Sequence, residues 1–280
     1  THCISSAASD VYKRQLQHAP HNPMTSPPNP ALTEAEQAAF LQSIARVRSA
    51  AGRALRAVQA HAMQGAAAHG TDTNAATQAA EATEPAAQAA VDFIAQLHKG
   101  LDTVAEQARA TGPQPACQAG CAHCCHLRVE ATEPEVLHIA QHLHTLPGAD
   151  QATTLLRLQQ HVAAASAGST RQPCSFLVND RCAIYSVRPA ACRKAHSLSA
   201  AHCAEQSPTI PQNLRLLVDA EALMAGTALA YRDQPLPASA HELNAAVLAA
   251  LGGTPLHAPS ALLRWYRGDE GALALRTTLP

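Results

Sequence analysis

Cys124 and Cys125 are adjacent in the chain, and that adjacency limits what can be built around them. They close a run written Cys117-x3-Cys121-x2-Cys124-Cys125. A second group follows as Cys174-x7-Cys182-x9-Cys192-x10-Cys203, so eight of the nine cysteines lie between residues 117 and 203. Neighbouring Cα atoms are about 3.8 Å apart and their side chains diverge, so two vicinal thiols strain any single tetrahedral ion they share. Eight thiols with one such pair therefore fit two metal centres or one polynuclear cluster, unless one of the pair only fills apolar space.

Closely spaced thiols in a reducing compartment bind metal more readily than they form disulfides, because the thiolate is a soft ligand. A tight first run and a second group drawn from a hairpin and its following loop is the two-part supply of zinc ribbons and cysteine-ligated clusters. Between residues 117 and 203 there are seven Lys or Arg and five Asp or Glu, with Arg188, Arg193 and Lys194 beside the second group. Such cations offset the negative charge of a thiolate centre. His123, His126, His196 and His202 flank the cysteines and could replace a thiol, although exposed or supporting roles are the expectation. His138 and His142 have i,i+4 spacing, but no HExxH surrounds them, which argues against a metalloprotease.

The joint pattern of C-x3-C-x2-CC, then CSFL, RCAIY and Arg188-Pro189-x-x-Cys192-Arg193, resembles the YkgJ-like cysteine-cluster family. That family is described as zinc- or iron-chelating, or as containing an iron–sulfur cluster. The resemblance covers about a third of the chain, and the first gap here is three residues where the shorthand CxxCxxCC has two. It implies that Cys117, Cys121, Cys124, Cys125, Cys174, Cys182, Cys192 and Cys203 bind the metal. It also implies an iron–sulfur cluster or zinc as cofactor, and the vicinal pair tips the expectation to iron.

The remainder reads as a helical scaffold. Apolar residues make up 47%, but 63 alanines supply nearly half of them and aromatics are only 3%, so the core is thin. Residues 5–15, SSAASDVYKRQ, match the translation of a sequencing-library adapter, so residues 1–23 are expected to be a scar. A Pro-rich lead spans 24–32, starting at Met24. It lacks the basic and apolar regions of a secretory signal, and the expected location is cytoplasmic. Residues 33–112 predict a helical hairpin with a linker or weak helix over 65–83, opened by a Thr33–Glu36 capping box. Its second helix is expected over about 85–110. The metal-binding domain is expected over 113–210, with a second capping box at Thr132–Glu135 and a short β-hairpin around Asn179-Asp180. Helices return over 211–280. The fold class is mainly α, a helical scaffold around a small cysteine-rich module.

Twenty basic against 21 acidic residues gives no reason to expect nucleic acid as a partner, and no apolar run is long enough for a membrane span. Two other classes compete with a metal-binding protein. Cys117-x3-Cys121-x2-Cys124 has the spacing of radical S-adenosylmethionine enzymes, and flagellin lysine methylases carry a similar module. Those radical enzymes resemble partial αβ barrels, and no strand–helix alternation is visible here. The other class is a structural-zinc module whose helical arms bind an unidentified protein partner.

Overall fold

The structure, a computed structural model, describes residues 33–69, 75–168, 172–252, 260–269 and 271–273. The expectations for residues 1–32 lie outside these. Helix α1 (Glu34–His69) is opened by the expected capping box: the Thr33 N–H donates to Glu36 Oε2 at 2.8 Å, and the Glu36 N–H donates to Thr33 Oγ1 at 3.3 Å. Helix α2 (Ala75–Asp92) starts well before Pro85, which lies inside it. Both helices enter the Ala/Thr/Gln stretch, because alanine is the best helix former. The single helix expected over 85–110 is two, since α3 (Ile94–Thr111) begins after a break at buried Phe93.

The module follows. A 3₁₀ turn (His123–His126) leads to β1 (Glu130–Thr132), α4 (Glu133–His144) and α5 (Gly148–Ser166). The hairpin β2 (Leu177–Val178) and β3 (Arg181–Cys182) pairs Leu177 with Cys182 across Asn179-Asp180. Both turn residues have positive φ, 50° and 58°, as a two-residue type I′ turn requires. Short helices α6 (Ala190–Lys194) and α7 (Ala200–Ala204) complete the segment. Then come α8 (Leu214–Arg232), β4 (Ala240–Glu242), α9 (Leu243–Leu251) and α10 (Ala261–Tyr266). The expected mainly α class with a short hairpin is the one observed. Among the described residues the strands are short and antiparallel, so the strand series of a partial αβ barrel has no counterpart. No helix among them is long and apolar enough to cross a membrane.

The helices pack as one body around the module. Helix α8 lies between α1 and α3, α3 reaches α6, and α9 covers α4 and α5. Tyr231 of α8 is fully buried, and its hydroxyl donates to the Ala90 carbonyl of α2 at 2.7 Å. Trp265 of α10 donates its indole N–H to the Pro237 carbonyl at 2.7 Å. Strand β1 pairs with β4, placing Ala131 opposite His241 and Glu130 opposite Glu242. His241 then clips the sheet to α4 through a 2.6 Å contact with the buried carboxylate of Glu133.

A Cβ at Gly226 of α8 would meet Val47 Cβ at 2.5 Å and the Ile44 carbonyl at 2.9 Å. Gly→Ala adds about 1 kcal/mol of helix propensity, but overpacking costs about 1–3 kcal/mol. Gly226→Val, bulkier still, should therefore lower the urea midpoint, while Gly65→Ala on an open face should not. The hydrogen bond to Glu133, against the opposing effect of burial, raises the His241 pKa above its ordinary 6.5. The stabilisation from this contact is fully present below that value and is lost as pH rises through the higher folded pKa. The melting temperature of the native protein should exceed that of His241→Gln most at about pH 6, and the gap should close by about pH 9.

Candidate metal centre

Each cysteine is held by backbone contacts before any metal is considered. Gly120 sits at φ +87°, a conformation that favours glycine, and turns the chain into Cys121. The Cys121 N–H donates to the Gln118 carbonyl at 3.0 Å, and the Cys125 N–H to the Ala122 carbonyl at 2.9 Å. Cys117 is anchored by its neighbour, since the Ala116 N–H donates to the Ser197 carbonyl at 2.8 Å. Cys203 lies on α7, which packs on the 3₁₀ turn carrying Cys124 and Cys125.

The two cysteine groups are joined directly: the Cys174 N–H donates to the Cys125 carbonyl at 2.8 Å. Cys182 is fixed in the hairpin. Cys192 lies on α6, which is tied from three sides. The Ala190 N–H donates to Glu135 Oε1 of α4 at 2.6 Å, Arg193 pairs with Asp102 of α3 at 2.8 Å, and Lys194 pairs with Glu221 of α8. Arg193 also donates to the Arg188 carbonyl at 3.0 Å and to the Ser186 carbonyl. The Arg193 side chain is only 7% exposed, but Asp102 is 51% exposed, so the guanidinium is buried while the pair opens to solvent at the carboxylate.

All eight cysteines carry free thiols, with Cys117 and Cys124 exposed and the other six partly buried. Cys124 is the hub of their mutual field. Its charge acts on Cys117, Cys125, Cys174, Cys182 and Cys192, while Cys121 and Cys203 also act on Cys117. The neighbouring Cys125 thiol draws the Cys124 pKa below its ordinary range against partial desolvation, with help from Arg188 and His126. The same contact, with burial, pushes Cys125 upward. Burial also raises Cys174 to about 11 and raises Cys182 and Cys192, while Cys117, exposed as a residue, is raised by partial desolvation of its thiol and by the charges of Cys121, Cys124 and Cys203.

The donor set suits a thiophilic metal. Arg188, whose charge acts on Cys124, Cys182 and Cys192, has a buried Nε with no hydrogen-bond partner, as a cation waiting on an anionic centre would. Among the described residues, however, no group of three or more His, Cys, Asp or Glu side chains is arranged to hold a metal ion. The thiols share one neighbourhood without forming a closed shell. Of the four flanking histidines, His196 has both ring nitrogens engaged: Nδ1 faces the Lys194 carbonyl at 2.9 Å and Nε2 accepts the Asn213 N–H at 2.7 Å. His126 and His202 each commit Nδ1, to the Ala122 carbonyl at 3.1 Å and the Ser199 hydroxyl at 2.7 Å.

Sequence reasoning missed Asn244. It is buried on α9, where its Oδ1 accepts from the Ser175 N–H at 3.0 Å and the Cys174 thiol at 3.8 Å, while Nδ2 donates to Glu242 at 2.8 Å. A lone amide at the start of the apolar run LNAAVLAAL was the available signal. Asn244→Ala strands the buried Ser175 N–H and should cost about 1–3 kcal/mol of unfolding free energy. Hydrogen exchange should then show lost protection at the Ser175 amide.

No curated protein and no solved structure matches the chain. The family model that does match spans residues 116–211, which include all eight of these thiols, and it identifies that segment as similar to the CxxCxxCC family, whose description is "Putative zinc- or iron-chelating domain".

Proposed function

We propose that the segment chelates iron or zinc through its eight cysteines in two sets, and that iron–sulfur is the form held. Cys117, Cys121, Cys124 and Cys203 make one set; Cys125, Cys174, Cys182 and Cys192 make the other. The observation that carries this reading is the Cys174 N–H to Cys125 carbonyl bond, which brings the two cysteine groups together. Assigning the vicinal pair to different sets respects the divergence of neighbouring side chains. Iron–sulfur centres supply one-electron chemistry, whereas four-thiolate zinc supplies folding energy. Arg188 offsets the negative charge of either. Eight free thiols fit a reducing, cytoplasmic setting.

Anaerobic purification tests the assignment. The expected protein is brown, contains iron and acid-labile sulfide in comparable amounts, and bleaches on oxidation. A colourless protein with stoichiometric zinc, whose thiols react only after chelation, would replace iron by zinc. Cys121→Ala and Cys192→Ala should each lose metal, one from each set. Full metal content in both variants would overturn the assignment.

A further inference from the structure

A polar cleft of about 550 Å³ opens between α3 and the segment from Tyr185 to Arg193, outside the two thiol sets. Its lining carries four cations, Lys99, Arg109, Arg188 and Arg193, against two carboxylates, Asp102 and Glu106. Asp102 is consumed by Arg193. Lys99, Arg109 and Arg188 make no ion pair among the described residues, which leaves three unpaired cations facing one free carboxylate.

The cleft is built rather than incidental. Arg188 is held over the Tyr185 ring at 3.9 Å, and its buried Nε lacks a hydrogen-bond partner. On the opposite wall His98, only 4% exposed, meets His138 edge-on at 5.7 Å, while its buried Nε2 lies 3.8 Å from Glu135 Oε1. Tyr185 is 62% exposed and offers an aromatic face at the rim. A volume of this size suits one small molecule.

We propose that this cleft binds a small organic anion bearing carboxylate or phosphate groups, drawn in by Lys99 and Arg109 and held at Arg188. Guanidinium forks match both groups, and the excess of two positive charges favours a dianion over a monoanion. Because the charge of Arg188 also acts on Cys124, Cys182 and Cys192, the ligand would lie next to the thiol module. Arg188 is thus shared between the ligand and the thiol module, so the test is placed at Lys99 and Arg109, which have no part in that module.

Calorimetric titration of the full chain with succinate, citrate and glycerol 3-phosphate tests it, with glycerol as the uncharged control. At least one anion should bind with a Kd below about 1 mM at low salt, and glycerol should not bind. The double variant Lys99→Gln/Arg109→Gln alters only exposed side chains and should weaken that binding at least about tenfold. Arg46→Gln/Arg53→Gln, on the remote face of α1, should leave it unchanged. Metal content measured on the same samples should be equal in all of them, which separates failure of the cleft from failure of the metal assignment. Absence of binding by all three anions, or binding that survives the Lys99/Arg109 substitutions, would overturn the proposal.

Discussion

One oxygen of Glu135 accepts the Thr132 N–H at 2.9 Å and its hydroxyl at 2.8 Å, and the other accepts the Ala190 N–H at 2.6 Å. The carboxylate is 3% exposed, with His98 Nε2 3.8 Å away. Burial alone would push this carboxyl up, yet contacts from His98, Ala190 and Thr132 together hold it below its usual range. A buried charge costs several kcal/mol unless its lone pairs are filled, and removing one partner is worse than never having built the pair. A single side chain thus caps α4, sets the start of the helix bearing Cys192, and faces α3. Where Glu135 goes, Cys192 follows.

Two turns of chemistry start from the same four residues. Thr132-Glu133-Pro134-Glu135 buries both carboxylates, and they face different parts of the chain. Glu133 reaches forward to His241 on β4, while Glu135 reaches α6. The first turn of α4 is therefore the joint where the cysteine segment, the N-terminal helices and the C-terminal strand meet. Asn244 adds a further tie, two residues after the strand it follows. The helices flanking the module are thereby part of its frame.

Local devices were legible in the sequence because their partners are close in the chain. Both capping boxes and the Asn179-Asp180 turn could be read from four residues each, and the cysteine spacing marked the module. Contacts between distant segments were not legible. Strands β1 and β4 are three residues each, too short for a period-2 pattern, and the His241–Glu133 contact beside them spans 108 residues. The break at Phe93 was hidden because the apolar periodicity runs on through it and its backbone stays in the helical region, while its ring packs on Tyr231 at 6.2 Å between centroids. Pro85 reads as a helix start, but the alanines before it have enough propensity to begin the helix earlier. The division of the eight thiols into sets depends on which side chains face each other, and spacing alone does not encode that.

The bond from Asn244 to the residues around Cys174 also has a consequence in time. Ribosomes add about 5–20 residues each second, so ~2–8 s separate the synthesis of Cys203 from that of Asn244. During that interval all eight thiols exist while the Ser175 N–H has no amide to meet and β1 has no neighbouring strand. A nascent chain at this stage is a loose set of nucleophiles, open to oxidants and to the wrong metal alike. Synthesis of the segment that carries β4 and Asn244 closes that window.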